Sequence, residues 1–92
     1  MKSVRINVSG RVQGVGFRYM TKLVADEFGV KGVVWNEANG SVSIEASGTE
    51  SQLETFCKIV KSSPAAYGRV DSFVMEEIPE TQKCSGFQIV WD

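Results

Sequence analysis

The chain has 92 residues, a net charge of -1, 42% hydrophobic and 23% charged side chains, which is the balance of one soluble globular domain with no room for a second core. That charge argues against a nucleic-acid binder held by counterion release, which needs a basic face. No apolar run approaches the ~20 residues of a membrane span, and no secretory pattern precedes the first strand signal, so the expected setting is the cytoplasm, as a monomer without membrane or nucleic-acid partners. Cys57 and Cys84 lie far apart and form no C-x-x-C, so free thiols are expected in that compartment. The chain contains no histidine, and no side-chain cluster has metal-ligand spacing. Neither a metal nor a cofactor is expected.

In chain order, Val4, Ile6 and Val8 alternate with Arg5, Asn7 and Ser9, the pattern of a half-buried strand over residues 4–8. A glycine-studded loop follows. Met20, Leu23, Val24 and Phe28 then fall at helical spacing, which predicts a first helix from Phe17 or Arg18 to Phe28, stopped by Gly29. Residues 32–36 and 41–46 read as two strands joined through Asn39-Gly40, a hairpin signal because both residue types tolerate positive φ. Thr49 or Ser51 can cap a second helix with the core stripe Leu53, Phe56, Cys57 and Val60, ended by Ser62-Ser63-Pro64. Residues 69–77 and 87–91 give the last two strands, with Phe87 and Trp91 expected to pack and Glu76-Glu77 expected in solvent. The order is β-α-β-β-α-β plus a terminal strand. It predicts an α+β, ferredoxin-like split β-α-β sandwich, an antiparallel sheet with two helices on one face. Many unrelated activities share that plan, so it gives no function by itself.

The chemistry is concentrated in the run from Gly10 to Arg18. Gly10, Gly14 and Gly16 permit backbone conformations that a Cβ forbids and a close approach to a ligand. Successive amides in such a turn can converge on an anion, and the helix start adds donors and the positive end of its dipole. Arg18 offers a planar fork suited to two phosphate oxygens. On residue types alone, an equally valid description is a tight strand-to-helix turn followed by a solvated arginine. Other phosphate motifs fail: no Lys-Ser or Lys-Thr follows the glycines, and the dinucleotide spacing is missing. Gly-Phe-Arg-Tyr has the flavour of an RNA-recognition motif but precedes a helix instead of lying in a central strand. Cysteine-dependent phosphatases carry a cysteine six positions before the loop arginine, where this chain has Val12. A phosphocysteine route through this loop is excluded, and the absence of histidine removes a phosphohistidine one. Water is left as the nucleophile.

The run from Val8 to Arg18, with Gly10, Val12-Gln13-Gly14-Val15 and Phe17-Arg18, resembles the first signature of the acylphosphatase family. Gly32, Asn36, Gly40, Val42 and Gly48 are similar to its second signature, and strand order and length agree, so the resemblance spans essentially the whole chain. It implies hydrolysis of small-molecule acyl phosphates, which are carboxylic-phosphoric mixed anhydrides, to a carboxylate and inorganic phosphate without metal. It further implies that Arg18 and the backbone amides of Gln13, Gly14, Val15, Gly16, Phe17 and Arg18 bind the phosphate, and that Asn36 positions the attacking water. Alone, Asn36 reads as a polar residue near a turn. Two positions depart from the family pattern. Val33 replaces a common aromatic and Trp35 precedes the asparagine where a basic or small residue is usual; Trp35 is expected on the opposite strand face from Asn36. Rival readings are a phosphate-binding module of the same fold without turnover, and a carbamoyl-transfer role like that of the front domain of larger hydrogenase-maturation proteins. The end of this sequence at Asp92 disfavours the latter.

Overall fold

A computed structural model describes residues 1–79 and 85–91; Cys84 lies outside them. Seven elements follow in chain order: β1 (Lys2–Arg11), α1 (Phe17–Phe28), β2 (Lys31–Asn36), β3 (Val42–Gly48), α2 (Glu50–Lys61), β4 (Arg69–Ile78) and β5 (Phe87–Ile89). They form one five-stranded sheet in the order β4-β1-β3-β2-β5, with both helices on one face. The core is made where Ile6, Val8, Val34, Val42 and Ile44 of the sheet meet Phe17, Ala25, Phe56 and Val60 beneath the helices.

The sheet is mixed rather than wholly antiparallel, which corrects the sequence expectation. β1 pairs antiparallel with β3 and β4, and β2 antiparallel with β3, but β5 runs parallel to β2 through Gly32↔Phe87, Val33↔Gln88 and Val34↔Ile89. The direction follows from the order. β1 and β2 run the same way, β4 runs against them on one edge, and β5 turns back against β4 onto the other edge. β5 is also shorter than expected: after Ile89 only the Val90 amide continues the ladder, donating to the Val34 carbonyl at 2.9 Å.

The first strand is longer than the alternation of Val4, Ile6 and Val8 indicated. Pairing with β4 continues to Arg11 across a register shift between Ser9 and Gly10. Gly10 (φ 128°) belongs to this bulge, and a Cβ there would collide with the Arg69 carbonyl oxygen. Its bare backbone therefore serves strand contact, not approach to a ligand.

In α1 the face against the sheet is Phe17, Thr21 and Ala25, each no more than 1% exposed, while Met20, Val24 and Phe28 pack at its flanks. Leu23, expected in the stripe, is 42% exposed. At Thr21 and Ala25 small size lets the helix axis come close to the sheet, so behind Phe17 the deepest positions are not the most hydrophobic ones. Gly29 ends the helix with φ 72°, its amide bonded to the Ala25 carbonyl. α2 buries Leu53, Phe56 and Val60, with Cys57 partly buried beside them. Its start is closed by a capping box: the Thr49 hydroxyl accepts from the Gln52 amide at 3.1 Å and the Gln52 Oε1 accepts from the Thr49 amide at 2.8 Å.

The β2–β3 connection spans Glu37 to Ser41, closed by the Glu37 amide on the Ser41 carbonyl at 2.8 Å. Only Gly40 takes a positive φ there; Asn39 works through its side chain, whose Oδ1 accepts from the Ser41 amide at 3.0 Å. No helix among the described residues is long and apolar enough to cross a membrane.

Candidate active site

The loop between β1 and α1 is pinned at both ends by buried apolar side chains, Val12 and Phe17, each 1% exposed. Between them Gly14 (φ 76°) and Gly16 (φ 78°) are left-handed, and a Cβ on either would meet nothing within 4 Å. Backbone conformation, not crowding, therefore demands glycine at these two positions. Gly16 is the N-cap of α1, and no side chain caps the helix there. The first-turn amides and the positive end of the dipole thus face the loop without a competing side-chain acceptor.

Arg18, in that first turn, is fixed from the far edge of the sheet. Its Nη1 donates to the Val90 carbonyl at 2.8 Å, and its guanidinium carbon lies 4.8 Å from the centroid of the Trp91 ring. Stacking on an aromatic face while donating to a carbonyl restricts a long, flexible side chain to few orientations. Trp91 was expected to pack in the terminal strand. It lies instead past the end of β5, 67% exposed, against the arginine.

Asn36 reaches the same place from the last position of β2. Strand alternation puts it on the helix side with buried Val34, and Trp35 on the other, where the Trp35 indole N–H donates to Glu37 Oε2 at 3.2 Å. The Asn36 Oδ1 is buried and has no hydrogen-bond partner among the described residues. Such an acceptor costs about 1–3 kcal/mol if left unsatisfied, so its presence beside a cavity calls for an explanation.

Gln13 ties the two halves together. Its Nε2 donates to the carbonyls of Glu37 and Ser41, both at 2.9 Å, so the loop is strapped to the turn that directly follows Asn36. Partners 24 and 28 residues away leave no local trace, and sequence reasoning missed this role of the Gln13 side chain.

Together these elements enclose a cavity of about 240 Å³ lined by Val12, Gln13, Gly14, Gly16, Phe17, Arg18, Tyr19, Asn36 and Trp91. Of the loop residues singled out from sequence, Gly10 and Val15 are not on this wall; Gly10 lies in the β1–β4 bulge, and the Val15 side chain packs against the core. Tyr19 and Trp91 are additions that the sequence did not point to. Arg18 is the cation of the wall, and no carboxylate among the described residues lines it. The arrangement suits a small, compact anion with a polar group held against one side of it. No group of three or more His, Cys, Asp or Glu that could hold a metal occurs among the described residues. Cys57 is distant from this cavity: its thiol lies 3.5 Å from the Met75 sulfur, and burial pushes it above the ordinary thiol value.

Residues 4–89 match the Acylphosphatase family. The chain is 51% identical over 90 residues to an acylphosphatase of Enterococcus faecalis, covering 98% of this chain and 99% of that one. It is 48% identical to an acylphosphatase of Latilactobacillus sakei, with 97% of each chain covered. The crystal structure of acylphosphatase from Bacillus subtilis superposes with a TM-score of 0.93 at 37% identity, over 99% of this chain and 100% of that one.

Proposed function

This chain belongs to the acylphosphatase family and has acylphosphatase activity, and from that premise we propose that water attacks the phosphorus of its substrate directly, with no covalent enzyme intermediate. The observation that carries this reading is the convergence of Arg18 and Asn36 on one small cavity, with the Asn36 Oδ1 buried and unpartnered among the described residues.

In the proposed reaction the phosphoryl group sits on the loop. The backbone amides of Gln13 to Arg18 and the forked donors of Arg18 bind its oxygens and offset the charge that spreads over them as the P–O bond breaks. The Asn36 Oδ1 accepts a hydrogen bond from the attacking water and so aims a lone pair at phosphorus. The new bond forms between water oxygen and phosphorus, with a water proton passing to a phosphoryl oxygen; the bond to the carboxylate oxygen breaks, and its electron pair leaves with the carboxylate. Because a carboxylate is a good leaving group, little general-acid help is needed, and positioning with charge stabilisation suffices. The Gln13 strap keeps the water-orienting and phosphate-binding halves in register. In this reading the chain acts as a monomer on a small-molecule acyl phosphate.

The test is hydrolysis of acetyl phosphate in chelator and in ¹⁸O-labelled water. Label is expected in inorganic phosphate, with no pre-steady-state burst of carboxylate, and Asn36→Ala is expected to lose most of the rate. Label in the carboxylate would overturn attack at phosphorus, and a burst would overturn the direct route. Neither a guanidinium nor a carboxamide changes protonation near neutrality, so the protein-dependent rate is expected to stay flat between about pH 6 and 8.

A further inference from the structure

The wall of the phosphate cavity does not end at its aromatic rim. Tyr19 and Trp91 also border a second, more open cleft of about 390 Å³, completed by Lys22, Phe87, Gln88 and Ile89. The two spaces are neighbours that share these two aromatic side chains in their walls. Tyr19 is 54% and Trp91 67% exposed, so most of neither ring is consumed by the core. Lys22 is the cation of the second cleft, and its ammonium is already paired with Asp26 at 2.8 Å. What remains is a pair of flat, apolar ring surfaces next to the place where a bound phosphate ends.

We infer that this second cleft receives the acyl half of the substrate, and that Tyr19 and Trp91 are specificity-determining residues that favour flat, uncharged acyl groups such as an aromatic ring. The inference rests on the phosphate-binding reading above, because the cleft is an acyl site only if the phosphate lies on the loop. With the phosphoryl group against Arg18 and the loop, the acyl carbon must leave the first cavity across its rim, and that rim is aromatic. Ring faces attract other π systems and apolar surface, whereas an acetyl group is too short to use them. Trp91 also supports Arg18, so removing it affects every substrate. Tyr19 lines both spaces, so its acyl contribution is read from the effect on one substrate relative to the other.

The experiment compares kcat/KM for benzoyl phosphate and for acetyl phosphate in the wild type, Tyr19→Ala and Tyr19→Phe. Hydrophobic pockets discriminate between substrates differing by a small apolar group by roughly 10- to 200-fold. The benzoyl-to-acetyl ratio is accordingly expected to fall about tenfold in Tyr19→Ala, through a higher KM for benzoyl phosphate, and to be retained in Tyr19→Phe, which keeps the ring. Comparing that ratio between variants cancels the different intrinsic reactivities of the two mixed anhydrides and any general loss from the substitution. An unchanged ratio in Tyr19→Ala overturns the acyl site while leaving hydrolysis standing. Hydrolysis of neither substrate by the wild type overturns the hydrolase reading and the acyl site with it.

Discussion

The two helices have the same length and lie on the same face of the sheet, but they begin in opposite ways. α2 opens with the reciprocal Thr49–Gln52 box and Glu50 in its first turn, and closes with Lys58 and Lys61 in its last. Every one of those residues answers the helix's own dipole or unpaired amides. α1 opens on a left-handed glycine, with no side-chain cap, no acidic residue in its first turn and no basic residue in its last. The same physical resource, a row of amide donors and a positive dipole end, is spent on stability in α2 and kept for an anion in α1. A helix start without its own acceptor is a structural cost, and it is accepted where the loop, Arg18 and Asn36 converge.

Arg18→Ala breaks the contrast most directly. It should lower kcat/KM for acetyl phosphate by about 100- to 1000-fold. Thr49→Ala, at the equivalent end of α2, should leave turnover as it is. Comparable losses in both variants would mean that the open start of α1 has no special part in catalysis.

Inorganic phosphate should fill the open start and not the closed one. At about 100 times its dissociation constant a ligand that binds only the folded chain adds about 2.7 kcal/mol, which for a domain of this size raises the midpoint of thermal unfolding by roughly 10 °C or more. Differential scanning calorimetry with and without phosphate measures this. The same rise in Arg18→Ala would place the ion elsewhere.

The closed start should show its worth in stability alone. Thr49→Ala removes the acceptor of the box and should cost about 1 kcal/mol, or about 4–8 °C in the unfolding midpoint. Unchanged stability would mean that the box adds nothing to α2.

The smallest effect concerns Cys57, on α2. Burial holds its thiol above the ordinary value of 9.0, so in alkali the unfolded chain loses this proton before the folded chain does. The associated stability is therefore complete below about pH 9 and is lost as the pH rises through the folded value. Urea unfolding between pH 8 and 10 should steepen its decline above 9, and Cys57→Ala should make that decline shallower.

Much of the scaffold could be read locally. The alternation of Val4, Ile6 and Val8, the Gly29 stop, the Thr49 cap and the stripe of Leu53, Phe56 and Val60 each report a backbone period or a terminus that needs only near neighbours. Thr21 and Ala25 escaped notice as the buried face of α1 because depth under a sheet selects for small size, and a hydropathy pattern weights bulk. The parallel direction of β5 escaped as well, since no local feature of residues 87–89 says which edge of the sheet they reach. Gly10 carried the right residue type with the wrong reason: its bare backbone meets β4, not an anion.

The sequence by itself determined the element order, the left-handed glycines of the loop and the identity of Arg18 and Asn36 as the residues to watch. These rest on short-range stereochemistry and on two motifs written in consecutive stretches. Tertiary structure alone decided that the loop is strapped to the β2–β3 turn by Gln13, that Arg18 leans on Val90 and Trp91 at the other end of the chain, and that Asn36, whose buried Oδ1 has no partner among the described residues, borders the same cavity. The reason is separation along the chain. Arg18 and the Val90 carbonyl stand 72 residues apart, and only the path of the sheet brings such groups within hydrogen-bond distance.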